Sequence, residues 1–137
     1  MSNYKFRGQT EDGEWVVGSH LPTIYEDVDV ITVSEMFNLD QKNYAVKKET
    51  VGQYIGICDT STPPKEIYDG DIIEGKSGMR HLVKYDENLA AFVAYFLPYD
   101  EDLAPSHITK KWVVEFGKKV IGNVFDNPEL IKKTEIK

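Results

Sequence analysis

The sequence is poor in the side chains from which reactive sites are usually built, since it has one cysteine and three histidines. A single cysteine cannot form an internal disulfide, so no disulfide framework stabilises the chain. A lone cysteine is also typical of proteins in a reducing compartment. We expect Cys58 to be a small, partly buried apolar side chain. Disulfide-rich secreted proteins are therefore excluded as a class.

Long apolar runs are also missing. No stretch approaches the roughly 20 apolar residues that a membrane-spanning helix needs. Lys5 and Arg7 near the start are not followed by an apolar segment, so residues 1–9 do not resemble a secretory signal. We expect a soluble protein of the cytoplasm with no membrane association.

Positive charge is in short supply, with 16 basic and 23 acidic residues and a net charge of −7. Residues 108–137 hold seven lysines and four acidic residues, so this part carries +3 and residues 1–107 carry −10. A net acidic chain repels phosphate backbones at long range, and nucleic acid is therefore an unfavourable partner unless a local patch binds it. We expect the lysines of residues 108–137 to be solvated.

What the sequence does contain is a series of short apolar runs separated by turn residues. The run Glu66–Ile73 holds an Asp69-Gly70 pair between two apolar segments, which predicts a tight turn between two strands. The same reasoning predicts a hairpin around Asp12-Gly13. Further strands are predicted over residues 28–33, 79–86, 90–97, 108–116 and 118–125, with residues 79–86 and 90–97 paired to each other. Residues 49–57 are an apolar run interrupted by Gly52 and Gly56, which indicates a bulge or a close backbone approach rather than a long regular element.

Helix signals are few. Ser34 is a suitable N-cap for a short helical turn over residues 35–38. Asn127 followed by Pro128 and Glu129 predicts a short C-terminal helix. Residues 40–48 are interpreted as a polar connection, residues 58–65 as an exposed loop and residues 98–106 as a long acidic loop.

Together these elements predict a mainly β protein with minor α content. Residues 1–48 form an N-terminal segment with a hairpin and a connection. Residues 49–137 form a small, partly open Src-homology-3-like β-barrel with a short C-terminal helix, because such a barrel buries its sheet and removes most strand edges.

The strongest candidate for chemistry is a group of acidic residues around the central turn: Glu66, Asp69, Asp71 and Glu74. Carboxylates two residues apart on a turn can share a hard cation. The pattern lacks the further ligands of a calcium loop, however, and Asp69 and Asp71 are better explained as turn formers. A metal-dependent enzyme at this turn is therefore the third hypothesis, and no metal ligand is assigned.

Other kinds of active site have weaker support. His20, His81, His107 and Cys58 lie in no recognisable nucleophile motif, because a Gly-x-Ser-x-Gly elbow is missing. We expect His81 to be structural and His107 to be solvated. Residues 75–78 (Gly-Lys-Ser-Gly) lack the glycine spacing and the following helix of a phosphate-binding loop. No catalytic or cofactor-binding residue is predicted, and no cofactor is expected.

Two binding roles remain open. Small barrels can present rings and basic groups to nucleic acid, and the candidates are Tyr85, Tyr95, Phe96, Tyr99, Trp112, Lys84, Lys110 and Lys111. We expect Phe92, Tyr95, Phe96 and Trp112 to fill the core instead. The apolar run of residues 90–97 could leave an uncovered edge or face, which motivates a homo-oligomer as a hypothesis.

Three segments, taken in order, resemble the YopX family of phage and prophage proteins: Thr50–Gly56, Glu66–Ile72 and Val120–Leu130. Lys5-Phe6-Arg7-Gly8 is similar to the start of that family. The resemblance implies a distinct N-terminal segment before a small barrel, and action inside a bacterial cell. The family has no agreed catalytic or binding residues, so no residue role follows from it.

The predicted function is therefore a non-enzymatic interaction or regulatory module with an unspecified protein partner. A nucleic-acid-binding module is the alternative.

Overall fold

A computed structural model describes the backbone of residues 5–35 and 38–131. Contacts along the chain divide it into two compact units, Met1–Tyr54 and Ile55–Lys137. The strand β5 contains the junction between them. The division at residue 48 that the sequence indicates stays a prediction.

The first unit is an antiparallel sheet. Its strands are β1 (Phe6–Gln9), β2 (Trp15–Leu21), β3 (Val28–Glu35), β4 (Asn38–Lys47) and the start of β5 (Gly52–Cys58), in the spatial order β4-β3-β2-β1-β5. A 3-10 turn at Lys48–Thr50 leads from β4 into β5.

The predicted hairpin in this unit is confirmed, since β1 and β2 pair from Phe6 opposite Gly18 to Gln9 opposite Trp15. Gly13 occupies the turn with a φ of 88°, a conformation that glycine adopts without strain. The strand predicted over residues 28–33 is also confirmed, as part of β3.

Two predictions about the first unit are wrong. The helical turn proposed for residues 35–38 is wrong at both ends, because Glu35 is the last residue of β3 and Asn38 is the first residue of β4. Residues 36–37 lie outside the described part. Residues 40–48 are mostly strand rather than a connection. Tyr44 is half-buried and Val46 is buried, whereas Asn43 and Ala45 are exposed, so the spacing of two between the apolar residues indicates a strand despite the polar composition.

The second unit contains the end of β5 and the strands that follow it. They are β6 (Glu66–Tyr68), β7 (Asp71–Glu74), β8 (Arg80–Asp86), β9 (Ala91–Leu97), β10 (Ser106–His107) and β11 (Lys119–Asn123). Five of them form an antiparallel sheet in the order β10-β9-β8-β7-β11, while β6 lies beside β5.

The turn between β6 and β7 has the predicted form, with Asp69-Gly70 at its centre and a φ of 96° at Gly70. The Gly70 N–H donates to the carbonyl of Val83 (2.7 Å), and the Gly70 carbonyl accepts from the Val124 N–H (2.9 Å). The turn is thereby tied both to β8 and to the segment after β11.

Residues 108–116, predicted as a strand, instead contain the helix α1 (Lys110–Glu115). Thr109 is its N-cap, and its Oγ1 accepts a hydrogen bond from the Trp112 N–H (3.1 Å). Val113 is fully buried and packs with Ile67, Ile73 and Val83 in the core of this unit. Ile108, Trp112 and Val113 face that core while residues 109–111 and 114–115 are exposed, a spacing that a helix provides and a strand does not.

The C-terminal helix is shorter than a regular α-helix. Pro128–Leu130 form one 3-10 turn, and Asn127 does not cap it with its side chain. The Asn127 Oδ1 instead accepts from the Asn123 N–H (3.2 Å), which ties the turn to β11.

The predicted fold class is confirmed: the protein is mainly β, with antiparallel sheets and minor α content. The strands predicted over residues 79–86 and 90–97 are β8 and β9, and they pair along their whole length. Within the described ranges, no helix is long and apolar enough to cross a bilayer.

Candidate functional site

The acidic residues of the central turn are held by contacts within the fold. Asp71 is almost fully buried, and its Oδ2 accepts from the Tyr68 N–H (2.7 Å), as a turn former would. Glu66 Oε1 accepts from the Tyr68 hydroxyl (3.0 Å). Both carboxylates therefore fix the geometry of β6 and the start of β7.

The other two acidic residues form ion pairs. Asp69 Oδ1 lies 3.3 Å from Lys84 Nζ, and Glu74 Oε2 lies 2.7 Å from Arg80 Nε. Across the described residues, no group of three acidic, histidine or cysteine side chains is arranged to hold a metal ion. The structure does not bring these four carboxylates together as one site.

The three histidines lie in different environments. His20 Nε2 is 2.7 Å from Asp29 Oδ2 in the first unit, and His107 is exposed in β10. His81 is 1% exposed and lies within β8. Cys58, expected to be partly buried, is exposed at the end of β5, so the expectation for its burial was wrong.

His81 has an unusual neighbour, because its Nδ1 lies 3.3 Å from Nζ of Lys118. Lys118 is 3% exposed, which corrects the expectation that this lysine is solvated. The two side chains come from β8 and from the residue just before β11. No carboxylate among the described residues lies within ion-pairing distance of Lys118 Nζ.

Aromatic rings enclose this pair. The His81 ring centroid lies 4.6 Å from that of Phe96 and 5.2 Å from that of Trp112, the latter edge to face. Lys118 Nζ lies 4.8 Å from the centre of the Trp112 ring, a cation–π distance. The amine is therefore stabilised by a ring and an imidazole rather than by an opposite charge.

The enclosure changes how both groups bind protons. Burial and the nearby Lys118 charge lower the pKa of His81 to about 4. Burial also lowers the pKa of the Lys118 amine. With Nδ1 facing an ammonium group, the neutral ring carries its proton on Nε2, which is buried and has no hydrogen-bond partner among the described residues.

The loop after β5 is attached to β11 through Asp59. Asp59 Oδ2 accepts from the Val120 N–H (2.9 Å), and Oδ1 accepts from the N–H groups of Ser61 (3.0 Å) and Lys65 (2.8 Å). Burial alone would raise the pKa of this carboxyl, but these hydrogen bonds outweigh it and hold the pKa below its usual value. The loop predicted as exposed thus has a buried anchor.

The aromatic and basic side chains considered for nucleic-acid binding lie in different environments. Phe96 and Trp112 face His81, and Tyr95 donates its hydroxyl proton to Asp86 (2.8 Å). Tyr85 and Tyr99 are exposed, as are Lys110 and Lys111. Binding of nucleic acid stays a prediction.

The apolar run of residues 90–97 has neighbours on both sides. β9 pairs with β8 along one edge and with β10 along part of the other, and Val93 and Ala94 are fully buried. On that second edge, β10 thus covers only Val93 and Ala94. Self-association through this run stays a prediction.

A more exposed apolar surface lies between β2 and β3. We call Leu21, Ile24 and Tyr25 the β2–β3 tip. Ile24 is 96% exposed and Tyr25 is 68% exposed, and Leu21 is half exposed at the end of β2. Apart from the strand over residues 28–33, no feature of this stretch is predicted from the sequence, and the tip was not identified.

Thr23 and Asp29 hold the tip in one conformation. The Thr23 N–H donates to Asp29 Oδ1 (3.0 Å), the Thr23 hydroxyl donates to the Val28 carbonyl, and the Tyr25 N–H donates to Thr23 Oγ1 (3.1 Å). Lys48 Nζ donates to the Thr23 carbonyl (3.1 Å) and lies 3.4 Å from Asp29 Oδ1.

The charge of Asp29 is kept by these partners. Burial would raise the pKa of the carboxyl, but hydrogen bonds from His20 and Thr23 and the Lys48 charge hold it below its usual value. An ionised carboxylate therefore supports an exposed apolar loop. Thr23 and Asp29 are residue types whose side chains often bond the backbone of a turn. Their presence in this stretch is the signal that could have indicated a fixed turn.

The family model described as YopX protein matches residues 5–132, which is nearly the whole chain. None of the curated proteins matches it. The matched range includes the central turn, Lys118 and the β2–β3 tip.

Proposed function

The chain belongs to the YopX family, and on that premise we propose that it is a non-enzymatic interaction module of a phage or prophage, acting in the cytoplasm of the bacterial host. The surface that it uses is the β2–β3 tip. The partner is a protein, and the consequence of binding is regulatory.

The exposure of Ile24 is the observation that carries this proposal. Single exposed apolar residues are common on protein surfaces and need no explanation. Here, an almost completely exposed Ile24 is adjacent to an exposed Tyr25, and both lie on one loop with Leu21 at its base. Tyrosine is enriched among the residues that dominate binding energy at interfaces.

The support under the tip favours binding as well. Thr23, Asp29 and Lys48 fix the loop before any partner arrives, so little conformational entropy is lost on association. Three of the candidate reactive groups are held by contacts within the fold, which supports a role without catalysis. His81 and Lys118 are enclosed by rings, and His20 is engaged by Asp29.

The test is affinity capture with the full chain from bacterial cells that carry the phage or prophage. Three baits are compared: the wild type, an Ile24→Ser/Tyr25→Ser variant and a Leu89→Ser control, in which a half-exposed apolar residue of the second unit is changed. Capture of a specific protein by the wild type and the control, with about tenfold less by the tip variant, supports the proposal.

The tip variant must also unfold at the wild-type temperature, which its exposed positions lead us to expect. If the tip variant captures the same proteins in the same amounts as the wild type, the proposed use of the tip is wrong.

A further inference from the structure

The border of the β2–β3 tip is acidic. Glu26 and Asp27 follow Tyr25 directly, and both are exposed. Within the ranges that the structure describes, neither side chain forms a hydrogen bond or an ion pair. The backbone beneath them is fixed, because the Asp27 carbonyl accepts from the Lys48 N–H (2.9 Å). Two carboxylates are therefore held beside the apolar side chains and are open to a partner.

The basic groups near the tip are engaged inside the turn. Lys48 Nζ lies 3.4 Å from Asp29 Oδ1 and donates to the Thr23 carbonyl (3.1 Å). His20 Nε2 lies 2.7 Å from Asp29 Oδ2. Both groups thus contact the one buried carboxylate rather than the two exposed ones, so the border keeps its negative charge.

The apolar centre of the tip projects from the surface of the molecule. Ile24 is exposed on nearly all sides, and Tyr25 is exposed over most of its surface. A flat partner would leave much of both side chains in water, whereas a depression would cover them, and burial of apolar area drives association. Pro22, which is also exposed, restricts the backbone at the start of the loop. The shape of the tip therefore fits a concave surface.

We propose that the partner of the tip is a protein with an apolar depression bordered by lysine or arginine side chains. This inference rests on the proposed use of the tip for binding. Ile24 and Tyr25 fill the depression, while Glu26 and Asp27 face the basic groups at its border. Buried apolar and aromatic anchors supply most of the binding energy of an interface, and charges at the rim guide association and fix its orientation.

The acidic border disfavours the other macromolecules that an exposed apolar loop could contact. Nucleic acid presents phosphates, which repel Glu26 and Asp27. The cytoplasmic leaflet of a membrane carries anionic lipids, and segments that bind it are rich in lysine and arginine beside their apolar residues. The tip has carboxylates in that position. A protein surface with basic side chains is the partner whose charge is complementary to the tip.

The test measures binding kinetics of the full chain at low and high salt. The probe is the protein that the wild-type chain retains in the affinity capture, purified and immobilised. Glu26→Lys/Asp27→Lys is expected to lower the association rate constant by about tenfold or more at low salt, because attraction at the border becomes repulsion. Added salt should slow the association of the wild type and speed that of this variant, since it screens both interactions.

Two further variants separate the border from the apolar centre. Ile24→Ser/Tyr25→Ser is expected to raise the dissociation rate constant by about tenfold or more and to keep the salt dependence of wild-type association. Glu11→Lys/Asp12→Lys makes the same change in net charge at the exposed turn between β1 and β2. This control should change the association rate constant by less than about twofold at high salt, because charges outside the interface are screened there.

Vesicle sedimentation tests a lipid surface as the alternative. The probes are vesicles of phosphatidylcholine alone and of phosphatidylcholine mixed with phosphatidylglycerol. The chain is expected to stay in solution with both. Cosedimentation that is lost in Ile24→Ser/Tyr25→Ser would assign the tip to lipid and overturn the proposal.

The failures of the two proposals are distinguishable. If the captured protein binds Glu26→Lys/Asp27→Lys and the wild type at the same rate, but binds Ile24→Ser/Tyr25→Ser weakly, the tip is an interaction surface and the basic border is wrong. If no protein is captured in a way that depends on Ile24 and Tyr25, both proposals fail.

Discussion

Nζ of Lys118 lies 3.3 Å from Nδ1 of His81, and both side chains are almost completely withdrawn from water. Since none of the described carboxylates lies within ion-pairing distance of it, Lys118 is costly to bury in its charged form. The Trp112 ring at 4.8 Å and the neutral imidazole offset part of this cost. The imidazole can do so only while it stays unprotonated.

Stability should therefore fall when the solution becomes mildly acidic. The pKa of His81 is about 4 in the fold, against about 6.5 in an unfolded chain, so the unfolded state binds the proton first as pH falls. The contribution of His81 is complete above pH 6.5 and is lost by about pH 4, a change of about 3 kcal/mol. Urea denaturation at several pH values measures it.

A His81→Gln variant is the control for this pH dependence, because glutamine does not titrate. Its stability should change less between pH 6.5 and 4 than that of the wild type. The pKa values of Asp29 and Asp59 are held below the usual carboxyl value, so their protonation destabilises the fold only at lower pH. An equal loss in wild type and variant would show that His81 is not responsible.

Removal of the lysine charge should make His81 easier to protonate. In Lys118→Met the flexible stem is retained and the ammonium group is lost, so the pKa of His81 rises from about 4. It stays below 6.5 because the ring remains buried. Titration of the His81 ring protons by nuclear magnetic resonance measures the change, and an unchanged pKa would contradict the assigned coupling.

Asp59 should be among the most sensitive acidic positions. Asp59→Ala leaves the N–H groups of Val120, Ser61 and Lys65 without their acceptor, and we expect a loss of about 3 kcal/mol in the free energy of unfolding. Asp100→Ala, in the exposed acidic loop, serves as the control and should change stability by less than about 0.5 kcal/mol. Comparable losses would mean that Asp59 does not anchor its loop.

Ala90 has a φ of 52°, in the left-handed region that disfavours side chains with a Cβ. Ala90→Gly should therefore raise the free energy of unfolding by about 0.5 to 1 kcal/mol. Ala91→Gly, one residue later in β9, should lower it by a similar amount because glycine weakens a strand. Thermal denaturation of the two variants checks the opposite signs, and the same sign for both would contradict the assigned conformation.

Asp29 should control the order of the β2–β3 tip. Asp29→Ala removes the acceptor of the Thr23 N–H and the partner of His20, so we expect faster hydrogen exchange of the Thr23 and Tyr25 amides and a stability loss of about 2 to 4 kcal/mol. Thr32→Ala, which removes an exposed hydrogen bond to Asn43, is the control. Unchanged exchange at Thr23 would show that the loop is held by other means.

Much of the fold follows from local sequence patterns. The Asp69-Gly70 turn, the hairpin at Gly13 and the pairing of β8 with β9 were all predicted, because turn chemistry and apolar runs act over a few residues. The helix α1 was missed because the aromatic and β-branched residues at 112–114 favour strand by propensity. The cap at Thr109 and the packing of Val113 in the core stabilise a helix instead.

Sequence patterns did not predict most of the candidate sites. The burial of Lys118 depends on rings from β9 and α1 and on an imidazole from β8, and nothing near residue 118 in the sequence indicates them. The tip was missed for a related reason. The exposure of Ile24 and Tyr25 depends on how Asp29 and Thr23 fold the loop, and the same apolar residues would be buried in a different turn.

The carbonyl of Gly70 accepts its hydrogen bond from Val124, which lies far along the chain. During synthesis on the ribosome, a nascent chain that has reached only β10 can form the turn and its bond to Val83, but not this second bond. Long-range contacts of this kind are made late, because the intervening segment must first be brought back. A ribosome-bound chain that ends before residue 124 should therefore resist a pulling force less than one that includes it.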